Sequence, residues 1–344
     1  MVDVTVLGAG AFGLSVAWAC LQRGAKVRVI DPFGVGAGSS GGVVGALAPH
    51  TPENWNDKKE FQFQSLIMAE AFWAEVEETG GVSSGYGRTG RLQPILNERG
   101  LELARARQET SGALWRGQAK WRVISEEDAG PWAPRTPTGF LIHDTLSARM
   151  HPRMACASLA AAIQEKGGEI AKEAPHEGQV VWATGWQGLV SLSQDMGRMV
   201  GNGVKGQAAL LRLDRPDLPQ LFADSVHVVP HVDGTVAIGS TSEREFENPT
   251  STDAQIDAVL ERAFAAVPAL KNAEVIERWA GVRPRAKSRA PMLGRHPLRE
   301  GAFIANGGFK IGFGMAPKVG AVMAELILDG VDTIPDDFRP EASL

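Results

Sequence analysis

Three glycines near the amino terminus have the spacing that phosphate binding requires. Residues 8–13 read Gly-Ala-Gly-Ala-Phe-Gly, a G-x-G-x-x-G motif. We expect Gly8 to allow a tight turn, Gly10 to admit a pyrophosphate close to the backbone, and Gly13 to let a helix pack closely on a strand. Asp31 lies 18 residues after Gly13, where a carboxylate would accept hydrogen bonds from an adenosine ribose, or simply form a turn with the proline that follows it. No arginine follows it, which disfavours NADP.

The elements that must position this motif are predicted from the same stretch. The sequence predicts a buried strand over residues 2–7, a helix over 14–23 and a second strand over 25–30. The N-terminus of this helix would face the phosphates with free N–H groups and the positive end of its dipole, and Ala11 and Phe12, just before it, are candidate cofactor contacts. This order predicts a Rossmann-type dinucleotide-binding unit.

A second glycine-rich stretch favours FAD over NAD. Residues 34–46 read GVGAGSSGGVVGA, with nothing larger than valine. An NAD-binding unit is expected to continue with a further helix and strand, whereas this backbone can lie against a long extended ligand. Ser39 and Ser40 are candidate donors to phosphate or ribityl oxygens, and Gly45 and Leu47 are further candidate cofactor contacts. A flexible loop and an NAD-dependent dehydrogenase remain as alternatives.

A segment in the middle of the chain is predicted to reach the same nucleotide. Residues 179–185 predict a buried strand that ends in Ala-Thr-Gly, so Thr184 and Gly185 are expected beside the cofactor. The residues just before it, 169–178, leave room for little more than one strand and a turn.

A third glycine-rich loop lies near the carboxyl terminus. Residues 301–306 predict a strand, 307–314 a loop, and 315–329 a helix with Pro317 in its first turn and Gly330 at its C-cap. The N-terminus of this helix would be a second anion site, suited to the charge that reduced flavin carries. The predicted cofactor contacts in the loop are Gly308, Lys310, Ile311, Gly312, Phe313 and Gly314.

In chain order, these motifs resemble the D-amino-acid oxidase superfamily, and within it the glycine oxidase branch. The segments that carry the resemblance are GAGAFG, GAGSSGGVVG, ATG at 183–185, GVRP at 281–284 and GGFKIGFGMAP at 307–317. It implies an α/β fold in which a Rossmann-type FAD-binding domain is interleaved with a substrate domain built on a mixed, largely antiparallel sheet. The expected FAD-binding domain comprises residues 1–80, 150–200 and 280–344, and the expected substrate domain comprises 81–149 and 201–279.

The resemblance also implies an activity. Family members oxidise the C–N bond of small amino acids or amines by hydride transfer to flavin N5, after which the imine hydrolyses and oxygen or another electron acceptor reoxidises the flavin. FAD is expected to be non-covalent, because Cys20 and Cys156 both fall in helix-like stretches. A dehydrogenase that passes electrons to a quinone or protein acceptor, and a non-catalytic flavin-binding protein, are the alternatives.

Three residues are candidates for substrate chemistry by this resemblance. Arg283, within GVRP, matches the arginine that holds the substrate carboxylate, although it belongs to a basic run that a solvated loop would also explain. Lys310 would lie as a cation beside the flavin ring, or be exposed. His227 stands where the family often has a tyrosine; if protonated it would bind carboxylate and make activity depend on pH near neutrality.

Composition excludes several other classes of function. A net charge of −5 and a pI of about 5.9 argue against nucleic acid as a partner. No apolar run approaches the roughly 18 residues of a membrane span, and no basic region precedes the first apolar stretch, so a cytoplasmic protein is expected. His227 and His231 are four apart in a strand-like run with Pro230 between them, so no metal site is predicted. The oligomeric state is left open.

Overall fold

The computed structural model describes all 344 residues and contains sixteen strands and eight α-helices. The helices are α1 (Ala11–Gln22), α2 (Asp57–Gly80), α3 (Glu98–Leu114), α4 (Glu126–Ala129), α5 (Pro152–Glu165), α6 (Gly185–Asp195), α7 (Gln255–Ala266) and α8 (Gly312–Asp329). The strands are β1 (Val4–Leu7), β2 (Val27–Ile30), β3 (Ala46–Leu47), β4 (Arg91–Pro94), β5 (Trp121–Ser125), β6 (Phe140–Asp144), β7 (Ala148–Arg149), β8 (Glu169–Ala171), β9 (Gln179–Trp182), β10 (Gly201–Arg212), β11 (Gln220–Ala223), β12 (Val226–Pro230), β13 (Thr235–Gly239), β14 (Glu274–Ala286), β15 (Met292–Arg295) and β16 (Ala302–Asn306). No helix combines the length and the apolar character that crossing a bilayer demands.

A six-stranded sheet has the order β15-β16-β9-β1-β2-β8. Five of its strands are parallel, and only the edge strand β15 is antiparallel to its neighbour. Its central strand β1 is buried along its whole length. Helix α1 packs on β1, and α5 and α8 pack on α1 in the same apolar core. The predicted order of strand, helix and strand at the amino terminus is confirmed by β1, α1 and β2.

An eight-stranded sheet has the order β14-β10-β13-β12-β11-β4-β6-β5. All of its strand pairs are antiparallel except β11 with β4. One face packs on α7 in a separate apolar cluster that includes Leu211, Val228 and Leu260. The expected α/β fold with a second, largely antiparallel sheet is therefore confirmed. Strand β14 extends through Ala286 and pairs with β10 along its length.

The last helix begins earlier than the sequence predicts. Helix α8 starts at Gly312, so the prediction of a start at residue 315 with Pro317 in the first turn is wrong. Pro317 lies inside the helix and cannot donate to the carbonyl of Phe313. The predicted C-cap is correct, because Gly330 has a φ of 71° and its N–H donates to the carbonyl of Glu325.

Candidate active site

A large cavity lies where the parallel strands end. It has a volume of about 1260 Å³ and is lined by the residues that follow β8, β2, β1, β9 and β16, together with residues of β12 and β14 from the other sheet. The carboxyl edge of a doubly wound sheet is where such folds bind their ligands. Five neighbouring strands at a spacing of about 4.8 Å extend over roughly 19 Å, which suits a long ligand. We call its two ends the Asp31 end and the Arg283 end, after a residue that lines each of them.

The structure brings nearly all of the predicted site residues to this one cavity. Among them only Gly13 does not line it. The predicted residues that do are Gly8, Gly10, Ala11, Phe12, Asp31, Ser39, Ser40, Gly45, Leu47, Thr184, Gly185, His227, Arg283, Gly308, Lys310, Ile311, Gly312, Phe313 and Gly314.

The turn after β1 requires glycine at two positions. Gly8 has a φ of 112°, and a Cβ there would lie 2.3 Å from the carbonyl oxygen of Ala183. Gly13 does not line the cavity but packs against the turn itself. A Cβ there would lie 1.9 Å from the carbonyl oxygen of Gly8, so only glycine allows this close approach. The turn therefore stays tight, with the N-terminus of α1 aimed at the cavity and no acidic residue in the first turn to repel an anion.

Two polar side chains hold this turn and keep bonding capacity for a ligand. One carboxylate oxygen of Asp31 accepts from the N–H of Ala9 at 2.9 Å and the other from the N–H of Phe33 at 3.0 Å. Asp31 is thus a turn former as well as a cavity residue, and a carboxylate with about four acceptor positions still has room for a ribose hydroxyl. Ser40 Oγ accepts from the N–H of Ala11 at 2.9 Å, which leaves its own hydroxyl proton to donate.

Arg283 lies on β14, and uncharged hydrogen-bond partners hold its side chain in place. Its Nη2 donates to Ser240 Oγ at 2.5 Å and its Nη1 to the carbonyl of Thr241 at 3.3 Å. The guanidinium lies over Gly206 of β10, where a Cβ would be 2.0 Å from Nη2. Burial lowers its pKa to about 10, against a weaker opposite effect of Glu243, so it stays charged at neutral pH. Arg283 is therefore not in a solvated loop.

His227 faces the cavity but does not carry a charge at neutral pH. Its ring lies 4.6 Å from that of Phe222, its partner on the neighbouring strand. Burial, and then the positive charges of Arg91, Lys310 and Arg283, lower its pKa to about 3. The expectation of a protonated His227 that binds carboxylate and titrates near neutrality is therefore wrong, because the environment stabilises the neutral ring.

Lys310 lies in the loop before α8 and is exposed to the cavity. The neighbouring residue, Phe309, donates its N–H to the carbonyl of Pro284 at 3.0 Å, which ties the loop to the strand that carries Arg283. Partial burial and the charges of Arg283 and Arg285 lower the pKa of Lys310. Lys310 makes no ion pair with a protein carboxylate.

Several cavity residues were not identified from the sequence. Ser240 and Phe222 have no distinguishing motif, and only the pairing of β11 with β12 brings Phe222 onto His227. Phe33 lines the Asp31 end although its side chain is 79% exposed. An aromatic residue two positions after Asp31 is the signal that could have indicated it.

The fold and the cavity define the class as a two-sheet oxidoreductase with a dinucleotide site on the Rossmann-type sheet. Residues 3–326 match the family described as DAO, FAD dependent oxidoreductase, and the chain belongs to this family. The predicted resemblance is confirmed: the chain is an enzyme, and FAD is its cofactor. The site fits FAD, because the N-terminus of α1 faces the cavity, Asp31 and Ser40 keep bonding capacity there, and the cavity runs past the ends of five neighbouring strands.

Named relatives are similar over nearly the whole chain. Glycine oxidase of Geobacillus kaustophilus is 25% identical and covers 94% of this chain and 92% of its own length. A crystal structure of glycine oxidase from Geobacillus kaustophilus superposes with a TM-score of 0.83 at 22% identity, over 98% of both chains. The iminodiacetate oxidase of Chelativorans sp. superposes with a TM-score of 0.82 at 21% identity, over 98% of this chain and 99% of its own. At these identities, the two superpositions establish the fold.

Proposed function

We propose that this chain oxidises the C–N bond of a small amino acid or amine, of the glycine, sarcosine or D-amino-acid type. The observation that carries the proposal is Arg283, a guanidinium in the cavity wall that has no ion pair and is held only by neutral groups. The relative from Geobacillus kaustophilus is named for the oxidation of glycine, a small amino acid whose carboxylate such an anchor would hold.

The side chains at the Arg283 end have separate roles in this proposal. Arg283 would pair with the substrate carboxylate through parallel N–H donors and thereby orient the carbon to be oxidised. His227, neutral at working pH, would be an uncharged hydrogen-bond partner. Bound FAD would supply the hydride acceptor at N5, with oxygen as the final electron acceptor. The imine product would then add water and release a keto acid with ammonia or an amine.

The remainder of the cavity would hold FAD without a covalent bond. We propose the pyrophosphate at the Gly8–Gly13 turn and the adenosine ribose at Asp31. Cys20 and Cys156 lie in α1 and α5, outside this cavity, and burial raises the pKa of both thiols to about 12. The segments 1–80, 150–200 and 280–344 would form the FAD-binding domain, and 81–149 and 201–279 the substrate domain.

The role of Arg283 is tested with a matched pair of amines. Sarcosine and dimethylamine share an N-methyl group, but only sarcosine carries a carboxylate. We expect Arg283→Met to lower kcat/KM for sarcosine by about 150-fold or more, because two charge-assisted hydrogen bonds of about 1.5–3 kcal/mol each are lost. FAD content should be unchanged, and dimethylamine should be equally poor with both proteins. The control is Lys287→Met, from the same basic run but exposed and outside the cavity.

Two outcomes would contradict the proposal. If Arg283→Met leaves kcat/KM for sarcosine unchanged, Arg283 does not bind the substrate carboxylate. Turnover with an artificial dye but none with oxygen would contradict oxygen as the electron acceptor and assign the chain to the dehydrogenases that use another acceptor.

A further inference from the structure

The glycine-rich stretch beside the cavity contains one turn of 3₁₀ helix, Ser39–Gly41. Ser39 and Ser40 line the cavity, and Ser40 Oγ accepts a hydrogen bond from the N–H of Ala11 at the start of α1. The Ser39–Gly41 turn therefore lies directly against the helix N-terminus that is suited to a cofactor phosphate. Whatever holds this turn in place also keeps the phosphate site formed.

The Ser39–Gly41 turn has little apolar packing of its own. None of its three residues is buried. A groove of about 530 Å³ lies between this stretch and α5, and it is lined by Val35, Gly36, Gly41 and the small side chains of Ala157 and Ala161. Because the helix does not fill the space beside the turn, polar contacts must supply most of its support.

Arg153, in the first turn of α5, makes those contacts. Its Nε donates to the carbonyl oxygen of Gly41 at 2.9 Å. Its Nη1 and Nη2 donate to the two carboxylate oxygens of Glu277 at 2.9 and 2.6 Å. A two-pronged pair of this kind fixes the plane of the guanidinium, and with it the direction of the Nε–H bond toward Gly41. Neither Arg153 nor Glu277 lines the cavity.

Glu277 brings the antiparallel sheet into this contact, because it lies on β14. Trp279 lies two residues further along the same face of β14, and its ring packs on the end of the turn: a Cβ at Gly42 would be 3.0 Å from Cη2. The hydrogen bonds from Arg153 lower the pKa of Glu277, so the carboxylate is charged at neutral pH. Strand β14 thus meets the turn both directly and through Arg153.

We propose that Arg153 and Glu277 are positioning residues for FAD: their ion pair holds the Ser39–Gly41 turn against the N-terminus of α1 and ties it to the antiparallel sheet. Both residues act through the turn, since neither lines the cavity. The inference depends on FAD as the cofactor and not on which amine is oxidised, so it goes beyond the proposed function and is tested separately from it.

The test measures the affinity for FAD and not turnover. Holoenzyme is diluted in series and passed through an ultrafiltration membrane, and the fluorescence of FAD in the filtrate gives its Kd. Arg153→Met keeps the aliphatic stem but removes all three hydrogen bonds, so we expect the Kd to rise by about tenfold. Glu277→Gln leaves the bond from Arg153 to Gly41 in place and should raise the Kd by about threefold.

Ionic strength and a double variant identify the ion pair as the cause. The side chains of Arg153 and Glu277 are 40% and 36% exposed, so added salt screens their attraction. The ratio of the Kd of Glu277→Gln to that of the wild type should fall toward one between about 0.05 and 0.5 M salt. If the two residues act as one unit, the variant with both substitutions should bind FAD no more weakly than Arg153→Met alone.

The matched control is Arg278→Met. Arg278 is the neighbour of Glu277 on β14 but faces the other side of the sheet, where it pairs with Asp257 at 2.5 Å. These two side chains are 42% and 50% exposed, so the variant loses an ion pair of similar exposure that does not touch the Ser39–Gly41 turn. Its Kd for FAD should stay within about twofold of the wild-type value.

Four results would each overturn the inference. An unchanged Kd in Arg153→Met would show that the turn does not need Arg153. An equal rise in Arg278→Met would assign the weaker binding to a general loss of stability. A double variant whose Kd rises by the product of the two single effects would show that Arg153 and Glu277 act independently. If Arg153→Met does not fold, Glu277→Gln decides, and a Kd equal to that of the wild type at low salt would overturn the role of the pair.

Discussion

Gly206 provides the space in which the guanidinium of Arg283 lies, so adding one methyl group should disturb carboxylate binding selectively. A Cβ at residue 206 would lie 2.0 Å from Nη2, 2.2 Å from Nη1 and 2.3 Å from Cζ of Arg283. The clash is with the far end of a flexible side chain. We therefore expect Gly206→Ala to displace the guanidinium and leave the sheet intact.

The expected size follows from the contacts that are lost. Displacement breaks the bonds of Arg283 to Ser240 and Thr241 and misaligns it for a carboxylate. Loss of one charge-assisted hydrogen bond costs about 1.5–3 kcal/mol, which corresponds to about 10- to 150-fold in affinity. The assay is the Kd of (methylthio)acetate, a monocarboxylate that has no nitrogen and cannot be oxidised at a C–N bond. The Kd is measured from the change in the flavin absorption spectrum on titration, with KM for the best substrate measured alongside. FAD content and Tm should stay near the wild-type values.

The control for this variant is Gly112→Ala. Gly112→Ala adds a methyl group in α3 where no atom lies within 4 Å, so it should change neither affinity nor fold. If Gly206→Ala is folded, loaded with FAD and binds the carboxylate as tightly as the wild type, the guanidinium over Gly206 is not the anchor.

Three further variants test other parts of the structure. His227→Gln should leave the shape of the kcat/KM profile between pH 5.5 and 8 unchanged, because the pKa of His227 is about 3; a wild-type inflection near pH 6.5 that disappears in the variant would contradict this. His231 is fully buried against the carbonyl of Val43, and burial followed by the charge of His151 lowers its pKa to about 4, below the value of about 6.5 in the unfolded chain. Protonation therefore favours the unfolded state as the pH falls below 6.5. From pH 7.5 to 5.0 the wild type should lose about 2 kcal/mol more unfolding free energy than His231→Gln, as measured by urea unfolding, and parallel losses would contradict the assignment. Gly13→Ala places a Cβ 1.9 Å from the backbone oxygen of Gly8, which cannot rotate away. We expect the free energy of unfolding to fall by about 1–3 kcal/mol and the variant to lose bound FAD. A variant with normal Tm and FAD content would show that the turn tolerates opening.

Local sequence signals account for the parts of the fold that were predicted correctly. The glycine spacing at residues 8–13 and the alternation of strand, helix and strand around it depend on neighbours in the chain, so β1, α1 and β2 could be predicted. The start of α8 could not, because Gly312 and Gly314 favour a loop by propensity. In the fold, Gly314 packs near Leu66 and Leu47, and such tertiary packing overrides the local preference.

The site was predictable where its residues form motifs and not where it depends on sheet pairing. Arg283 stood out from its basic neighbours only through the family resemblance. The register that sets Val204 opposite Arg283 and leaves space at Gly206 appears only when β10 pairs with β14. The charge state of His227 depends on cations from distant segments, including Arg91, and no pattern near residue 227 indicates them.

The central claim is that FAD in this cavity accepts electrons from a small carboxylate-bearing amine anchored at Arg283. The most direct measurement is the visible spectrum of the purified protein, before and after anaerobic addition of glycine, sarcosine and D-alanine. We predict a yellow protein that at least one of these amines bleaches, and that Arg283→Met remains yellow under the same conditions. A protein that is yellow but is bleached by none of them, or that is bleached equally well without Arg283, would contradict the account.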